Sequence, residues 1–398
     1  MFRSPGLIAL IGVFAVGSLC CAAEIQTLAG QKHTGELVSI DGQSAVFKTA
    51  SGDVTIPVTQ LLAIDISPES DSRDKFTEVE LSDGSVLHVS SIVIKADRCE
   101  MKLIGGPIIQ APFGAVTSIL RDAQDTALKQ EWTALLRKRG PLDLLVVRSE
   151  GKLDALEGTA GQRNAAGDAI EFSLSSGEKV TTKLSRAQGF VFVRKPDPNS
   201  QPSLCRVRDT SGTDLIARTI RLDGAAITID TVAGASVTYP AVKQLSRLDF
   251  SKGKLTYLSD LEPADKDESS TEDLVFPYRR DRNLYGGMLR IKGVTYARGL
   301  ALHSRSVLTY DIGSDYREFR AMVGVDDAVR TENGAPVRVL VLIEADGREL
   351  FKGEIRTGDE PKTLALDVKG VRRLRLTVVS PGLDLGNQVD FCDARVSK

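Results

Sequence analysis

The chain has 398 residues, 42% of them hydrophobic and 26% charged, the proportions of folded soluble domains, and its length calls for two to four units. Its 51 basic and 53 acidic residues are spread along the sequence and leave a formal net charge of -2, so there is no basic footprint for a phosphate backbone. Nucleic acid is not an expected partner. Residues 1–23 have the layout of a secretory signal peptide: Arg3 at the start, an apolar run over 7–19, and Cys21, Ala22 and Ala23 before Glu24. The expected consequence is export to the periplasm, cell surface or medium, with no transmembrane span after cleavage. Two alternatives stand beside it: an uncleaved anchor, for which the apolar run is short, and lipid attachment, for which Leu19 and Cys20 stand where a small residue is usual.

Residues 24–120 and 141–255 read as β units, with Val, Ile, Leu and Thr alternating at period two between Gly, Asp-Gly and Ser-Gly turns. Segments 35–66, 79–120, 156–193 and 207–250 resemble one another loosely, and Pro57, Pro112 and Pro240 fall at one point of the shared plan, where a strand ends. Either these are repeats or they are meanders that share turn grammar. A unit of this size cannot bury enough surface alone, so the segments are expected to associate as small β-barrels or β-meanders. Between the two pairs, 121–140 is a connecting helix: Ala127, Leu128, Trp132, Leu135 and Leu136 recur at helical spacing and Gly140-Pro141 stops it. The stretch 143–162 resembles an uncharacterised region of exported planctomycete proteins. Cys99, Cys205 and Cys392 are an odd set at wide spacing, read either as one Cys99–Cys205 bridge with a leftover thiol or as buried thiols.

Residues 256–273 turn acidic and lose alternation, which reads as a linker. The final stretch, 274–398, has strand patterns at 308–312, 319–325, 337–344, 364–368 and 374–379 and a tight reversal at Ala345-Asp346-Gly347. Strands with almost no helix over this length predict a jelly-roll or Greek-key β-sandwich, making the whole chain mainly β.

Ordered motifs in this last stretch, YRRDRNLYGGMLRIKGVTYARG (278–299), GLALHSRSVLTY (299–310), FRAMVGVDD (319–327) and VDFCDA (389–394), resemble the NPCBM family of carbohydrate-binding modules, which is related to galactose-binding-like sandwiches. The resemblance implies a jelly roll that presents sugar-binding side chains from loops at one end. It also implies a module appended to glycoside hydrolases or carried by proteins without a catalytic domain, in some members with a structural calcium ion. On matching positions, His303 falls on the motif histidine, Asp326 and Asp327 on the Gly-hydrophobic-Asp-Asp turn, and Asp390 and Asp393 on the closing motif. Where many members read Asp-His-Ala-Asp-Trp-Ala-Asp-Ala, this chain has Asn387, Gln388, Val389, Asp390, Phe391, Cys392, Asp393 and Ala394.

Sugar recognition needs an apolar ring face and fixed hydroxyl partners. The candidates are His303, Tyr278, Arg282, Asn283, Tyr296, Asn387 and Phe391, with Tyr285 and Arg279 beside them; Asp326 and Asp327 are the candidate calcium ligands, and no cofactor is required. Each has a structural alternative: an interior histidine, core-edge tyrosines, turn-capping aspartates, and Arg-paired Asp390 and Asp393. His33, His88 and His303 are too scattered for a zinc triad, and the chain has no Gly-x-Ser-x-Gly, Gly-x-Gly-x-x-Gly or phosphate-loop motif. The expected function is therefore an exported, non-catalytic glycan binder. The alternatives are an envelope assembly or adhesion protein using the sandwich against another protein, and an accessory part of a glycoside hydrolase system.

Overall fold

The computed structural model describes residues 22–70, 74–195, 201–268, 275–329, 336–380 and 387–398. The secretory signal read at 1–23 thus falls almost wholly outside the described residues. The chain divides into two units, Met1–Phe250 and Ser251–Lys398.

The first unit consists of four repeats of five strands. They are β1–β5 (Ala23–Thr27, Lys32–Ile40, Ser44–Thr49, Gly52–Pro57, Leu61–Asp65), β6–β10 (Thr77–Leu81, Val86–Lys95, Arg98–Leu103, Ile108–Pro112, Val116–Leu120), β11–β15 (Asp143–Ser149, Lys152–Arg163, Ala169–Leu174, Lys179–Lys183, Gly189–Val191) and β16–β20 (Cys205–Asp209, Asp214–Asp223, Ala226–Thr231, Ser236–Tyr239, Leu245–Asp249). In every repeat the first four strands form an antiparallel meander and the fifth returns to pair with the first. The second strand is long and its register against the third shifts at one bulge: Leu37/Ser39, Val89/Ser91, Ala160/Arg163 and Ala217/Thr219. A bulge bends a strand and raises its twist, so a single strand can serve both halves of a small barrel.

Equivalent positions also match. Phe47, Met101, Phe172 and Ile229, all fully buried, pair with Val54, Ile109, Val180 and Val237 of the fourth strand. One strand order, one bulge and one register recurring together are repetition, not shared turn grammar. Pro57 and Pro112 immediately precede short 3-10 turns at Val58–Gln60 and Phe113–Ala115, and Pro240 stands just before the one at Val242–Gln244. The repeats then join edge to edge. β5 pairs with β20, β10 with β15, and β9 with β19, so one continuous hydrophobic core runs through all four.

Helix α1 (Thr126–Arg137) is capped by Asp125, whose carboxylate accepts from the N–H groups of Ala127 and Leu128. Leu128 and Trp132, one turn apart, are buried against Leu120, Leu144, Val146 and Val191. Gly189 makes room for the indole: a Cβ there would lie 2.8 Å from the Trp132 ring and 2.4 Å from the Ile119 carbonyl oxygen. Among the described residues no helix is long and apolar enough to cross a membrane. Cys99, Cys205 and Cys392 are buried thiols, so the Cys99–Cys205 bridge is corrected to packing groups, and burial pushes the Cys99 thiol up to about 12.

The second unit is a two-sheet sandwich. Its strands are β21 (Leu255–Tyr257), β22 (Asp265–Glu268), β23 (Arg279–Arg280), β24 (Leu289–Ile291), β25 (Val294–Tyr296), β26 (Gly299–His303), β27 (Ser306–Asp311), β28 (Glu318–Gly324), β29 (Arg338–Ala345), β30 (Arg348–Arg356), β31 (Lys362–Asp367), β32 (Arg373–Val379) and β33 (Gln388–Ser397). One sheet runs β23-β26-β33-β28-β31 with β21 also on β33; the other runs β22-β27-β32-β29-β30. Leu300, Leu302, Phe319, Val323, Val389 and Phe391 of the first meet Leu308, Tyr310, Val339, Val341, Leu374 and Leu376 of the second.

The acidic linker read at 256–273 is corrected here. Leu255, Thr256 and Tyr257 pair with Ser397, Val396 and Arg395, Leu258 is fully buried, and Asp265 to Glu268 form an edge strand on β27. An edge strand joins its sheet through the backbone on one side only, so the DKDE run needs no apolar side chains to pair with β27. Positions 269–273 lie outside the described residues.

Candidate functional site

On β26 and β33 the side chains alternate between the sandwich interior and the outer face. Leu300, Leu302, Val389 and Phe391 point inward, which leaves Ala301, His303, Gln388, Asp390 and Cys392 outward. The β24–β25 hairpin covers much of this outer face: Leu289 and Ile291 pack with Ala301 and Cys392. The approach is close because Gly299 and Gly324 lie beneath; Cβ atoms there would come within 2.8 Å of Leu289 and 2.7 Å of Ile291.

The two aspartates of the Gly-hydrophobic-Asp-Asp turn fasten that hairpin. Asp326 accepts from Asn283 Nδ2 (3.1 Å) and Ala328 N (2.7 Å) on one oxygen and from Arg290 N (3.0 Å) on the other. Asp327 accepts from Lys292 N (2.9 Å) and Gly293 N (2.7 Å). All four carboxylate oxygens thus face N–H donors, which a cation would have to displace. Among the described residues no three His, Cys, Asp or Glu side chains are placed to hold a metal ion. The residues do not fit the calcium ion that the resemblance implies, and Asp326 and Asp327 are corrected from ligands to clasps.

Asn283 is likewise structural. Its Oδ1 accepts from Tyr285 N (3.2 Å) and Gly287 N (2.9 Å), and its Nδ2 also reaches Met288 O (3.2 Å). Its backbone closes the same loop through Asn283 N to Gly287 O and Gly286 N to Asn283 O, with Gly286 at φ 88°. The loop so pinned displays Tyr285, 63% exposed, and Met288 beside it. Arg279 Nη1 lies 3.5 Å from where a Cβ of Gly286 would be, and Arg282 is exposed.

His303 is buried at the end of β26. Its Nδ1 is 3.1 Å from Ser304 O, and its ring stacks on Phe276 with centroids 4.5 Å apart. Phe276 is itself half exposed and went unread in the sequence, where nothing in VFPY distinguishes a platform from a core residue. Cross-strand from His303 sits Gln388, buried, with neither amide atom partnered among the described residues.

The remaining candidates serve the framework. Phe391 lies fully buried in the sandwich core and is corrected from sugar platform to packing residue. Tyr278 packs against that core, accepts from Arg280 Nη2 at 2.9 Å, and donates its backbone N–H to Glu268. Tyr296, the last residue of β25, packs against the cluster of Leu289, Ile291, Ala301 and Cys392, and burial raises its phenol pKa. Asn387 is buried and donates to Ser380 Oγ at 2.7 Å, while its carbonyl accepts from Ser304 N. Asp390, expected beside an arginine, is instead buried next to Asp326, and burial followed by that neighbour raises its pKa well above the usual carboxylate range.

Residues 254–397 match the NPCBM/NEW2 domain family. The match therefore takes in the whole stretch, 256–273, whose composition suggested a linker. A Renibacterium salmoninarum protein provisionally named an endo-alpha-N-acetylgalactosaminidase is 28% identical over 171 residues, 40% of this chain and 10% of its own length. The chain thus spans about a tenth of that relative. Among solved structures, the CBM51 module of a Clostridium perfringens GH95 protein in complex with methyl-galactose is 21% identical, with 36% of this chain and 99% of that chain covered at a TM-score of 0.32. The tandem CBM51 modules of a Streptococcus pneumoniae family 98 glycoside hydrolase are 14% identical, covering 83% and 95% at a TM-score of 0.33.

Proposed function

We propose that the NPCBM domain binds a glycan of galactose type, or another cell-surface glycan, and that the protein acts as an exported, non-catalytic binder. The observation that carries this reading is Tyr285, an exposed ring on a loop whose every turn is held by Asn283. Such a ring offers the apolar face that the C–H side of a pyranose needs, at little entropic cost because the loop is already ordered. Arg279 and Arg282 alongside supply donors for hydroxyls. The match of residues 254–397 to the NPCBM/NEW2 family supports the same reading, and the signal-like residues 1–23 support export.

A second reading makes the domain an accessory part of a glycoside hydrolase system. It is favoured by the glycosidase name of the Renibacterium relative, whose aligned stretch is a small part of a much longer chain. Both readings place sugar on the same domain.

The test is a glycan array followed by titration calorimetry on the full chain. Saturable binding is expected, unchanged by EDTA and lost in Tyr285→Ala at unchanged melting temperature. Silence of the wild type across the array would overturn glycan binding and turn attention to an envelope protein as partner.

A further inference from the structure

The twenty strands of the first unit form a path with two ends, β4 in the first repeat and β14 in the third, each paired on one side only among the described residues. Their equivalents in the second and fourth repeats, β9 and β19, are not edges, because they pair with each other through Ser236↔Gln110 and Val237↔Ile109. Val237 and Ile109 occupy the same repeat position, opposite Ile229 and Met101. The chain therefore already contains one pseudo-two-fold junction of fourth strands, centred on that position. In β4 the position is Val54, opposite Phe47 in the same register.

We propose that β4 is a self-association edge, at which two copies of this chain pair their β4 strands antiparallel about Val54, repeating the β9–β19 junction between molecules. The pairing sets Asp53 of one copy opposite Thr55 of the other, twice by symmetry, and brings no like charges together. Gly52, Asp53 and Thr55 are exposed, and the cross-strand neighbour of Asp53 within its own repeat is Lys48. The other end of the path differs. β14 carries Lys179 and Lys183, the charged edge by which sheets discourage pairing, and β4 has no lysine. This inference goes beyond glycan binding and is independent of it, although paired copies would carry two NPCBM domains.

Sedimentation velocity on the full chain over a rising micromolar series tests it. The wild type should show a reversible monomer–dimer equilibrium. Thr55→Asp places Asp opposite Asp53 at both symmetric contacts and should weaken the dimer about tenfold or more. Asp53→Lys combined with Thr55→Asp restores opposite charges across the junction and should restore the dimer, which loss of folding could not mimic. Thr181→Asp on β14 should change nothing. A wild type that stays monomeric throughout, a dimer that Thr55→Asp leaves intact, or a double variant that stays monomeric with unchanged circular dichroism would each overturn the proposal.

Discussion

Asp390 lies fully buried beside the Asp326 carboxylate, and neither Asp390 oxygen has a well-formed hydrogen bond among the described residues. Burial first, and then the Asp326 carboxylate beside it, raise the Asp390 pKa well above the usual carboxylate range and so favour its protonated form. A carboxyl that holds its proton more tightly folded than unfolded lowers stability as pH rises from the unfolded pKa, about 3.9, towards its own raised value. The contribution of Asp390 to stability should therefore fall as pH rises above about 4, and the difference in melting temperature between wild type and Asp390→Asn reads it. Asp390→Asn should flatten that slope and stabilise the protein at pH 8 by about 1–3 kcal/mol. A melting-temperature difference indifferent to pH would remove the coupling.

Asn283→Ala leaves the Tyr285 and Gly287 N–H groups without their acceptor and removes one of the two donors to one oxygen of Asp326, the Ala328 N–H remaining. The expected cost is about 1–3 kcal/mol. Because Tyr285 would no longer be pre-ordered, glycan affinity should fall while the sandwich stays folded, readable by calorimetry beside urea denaturation.

Phe391→Ala should behave in the opposite way. The ring is fully buried in the sandwich core, so its removal should cost about 3–5 kcal/mol. Phe391→Leu, close in volume, should recover most of that stability. If Phe391→Ala instead lost sugar affinity at full stability, the residue would have to line the site.

Gly189→Ala tests the first unit. The added methyl would strike both the Trp132 ring and the Ile119 carbonyl, so the indole must leave its seat on β10 and β15. A loss of about 1–3 kcal/mol is expected, with a red shift in emission from Trp132, the only tryptophan in the chain.

Local pattern alone determined the strand-rich character, the helix with Trp132 on its buried face, and the turns, because period and turn chemistry are short-range properties. The motif order carried the sandwich as well, and Pro57, Pro112 and Pro240 hinted at the repeats. Composition misread residues 256–268, since an edge strand may be as charged as a linker when only its backbone is needed for pairing. The roles of single residues were decided only in three dimensions. Phe391 and Tyr285 are both aromatic side chains in family motifs, yet one is sealed between sheets and the other stands in water. Asp326 and Asp327 read equally as ligands or clasps until their oxygens met the N–H groups of a hairpin more than thirty residues earlier. Long-range partners of this kind leave no periodic trace, so a sequence can name the chemistry available to this protein while only its tertiary structure says which groups remain free to use it.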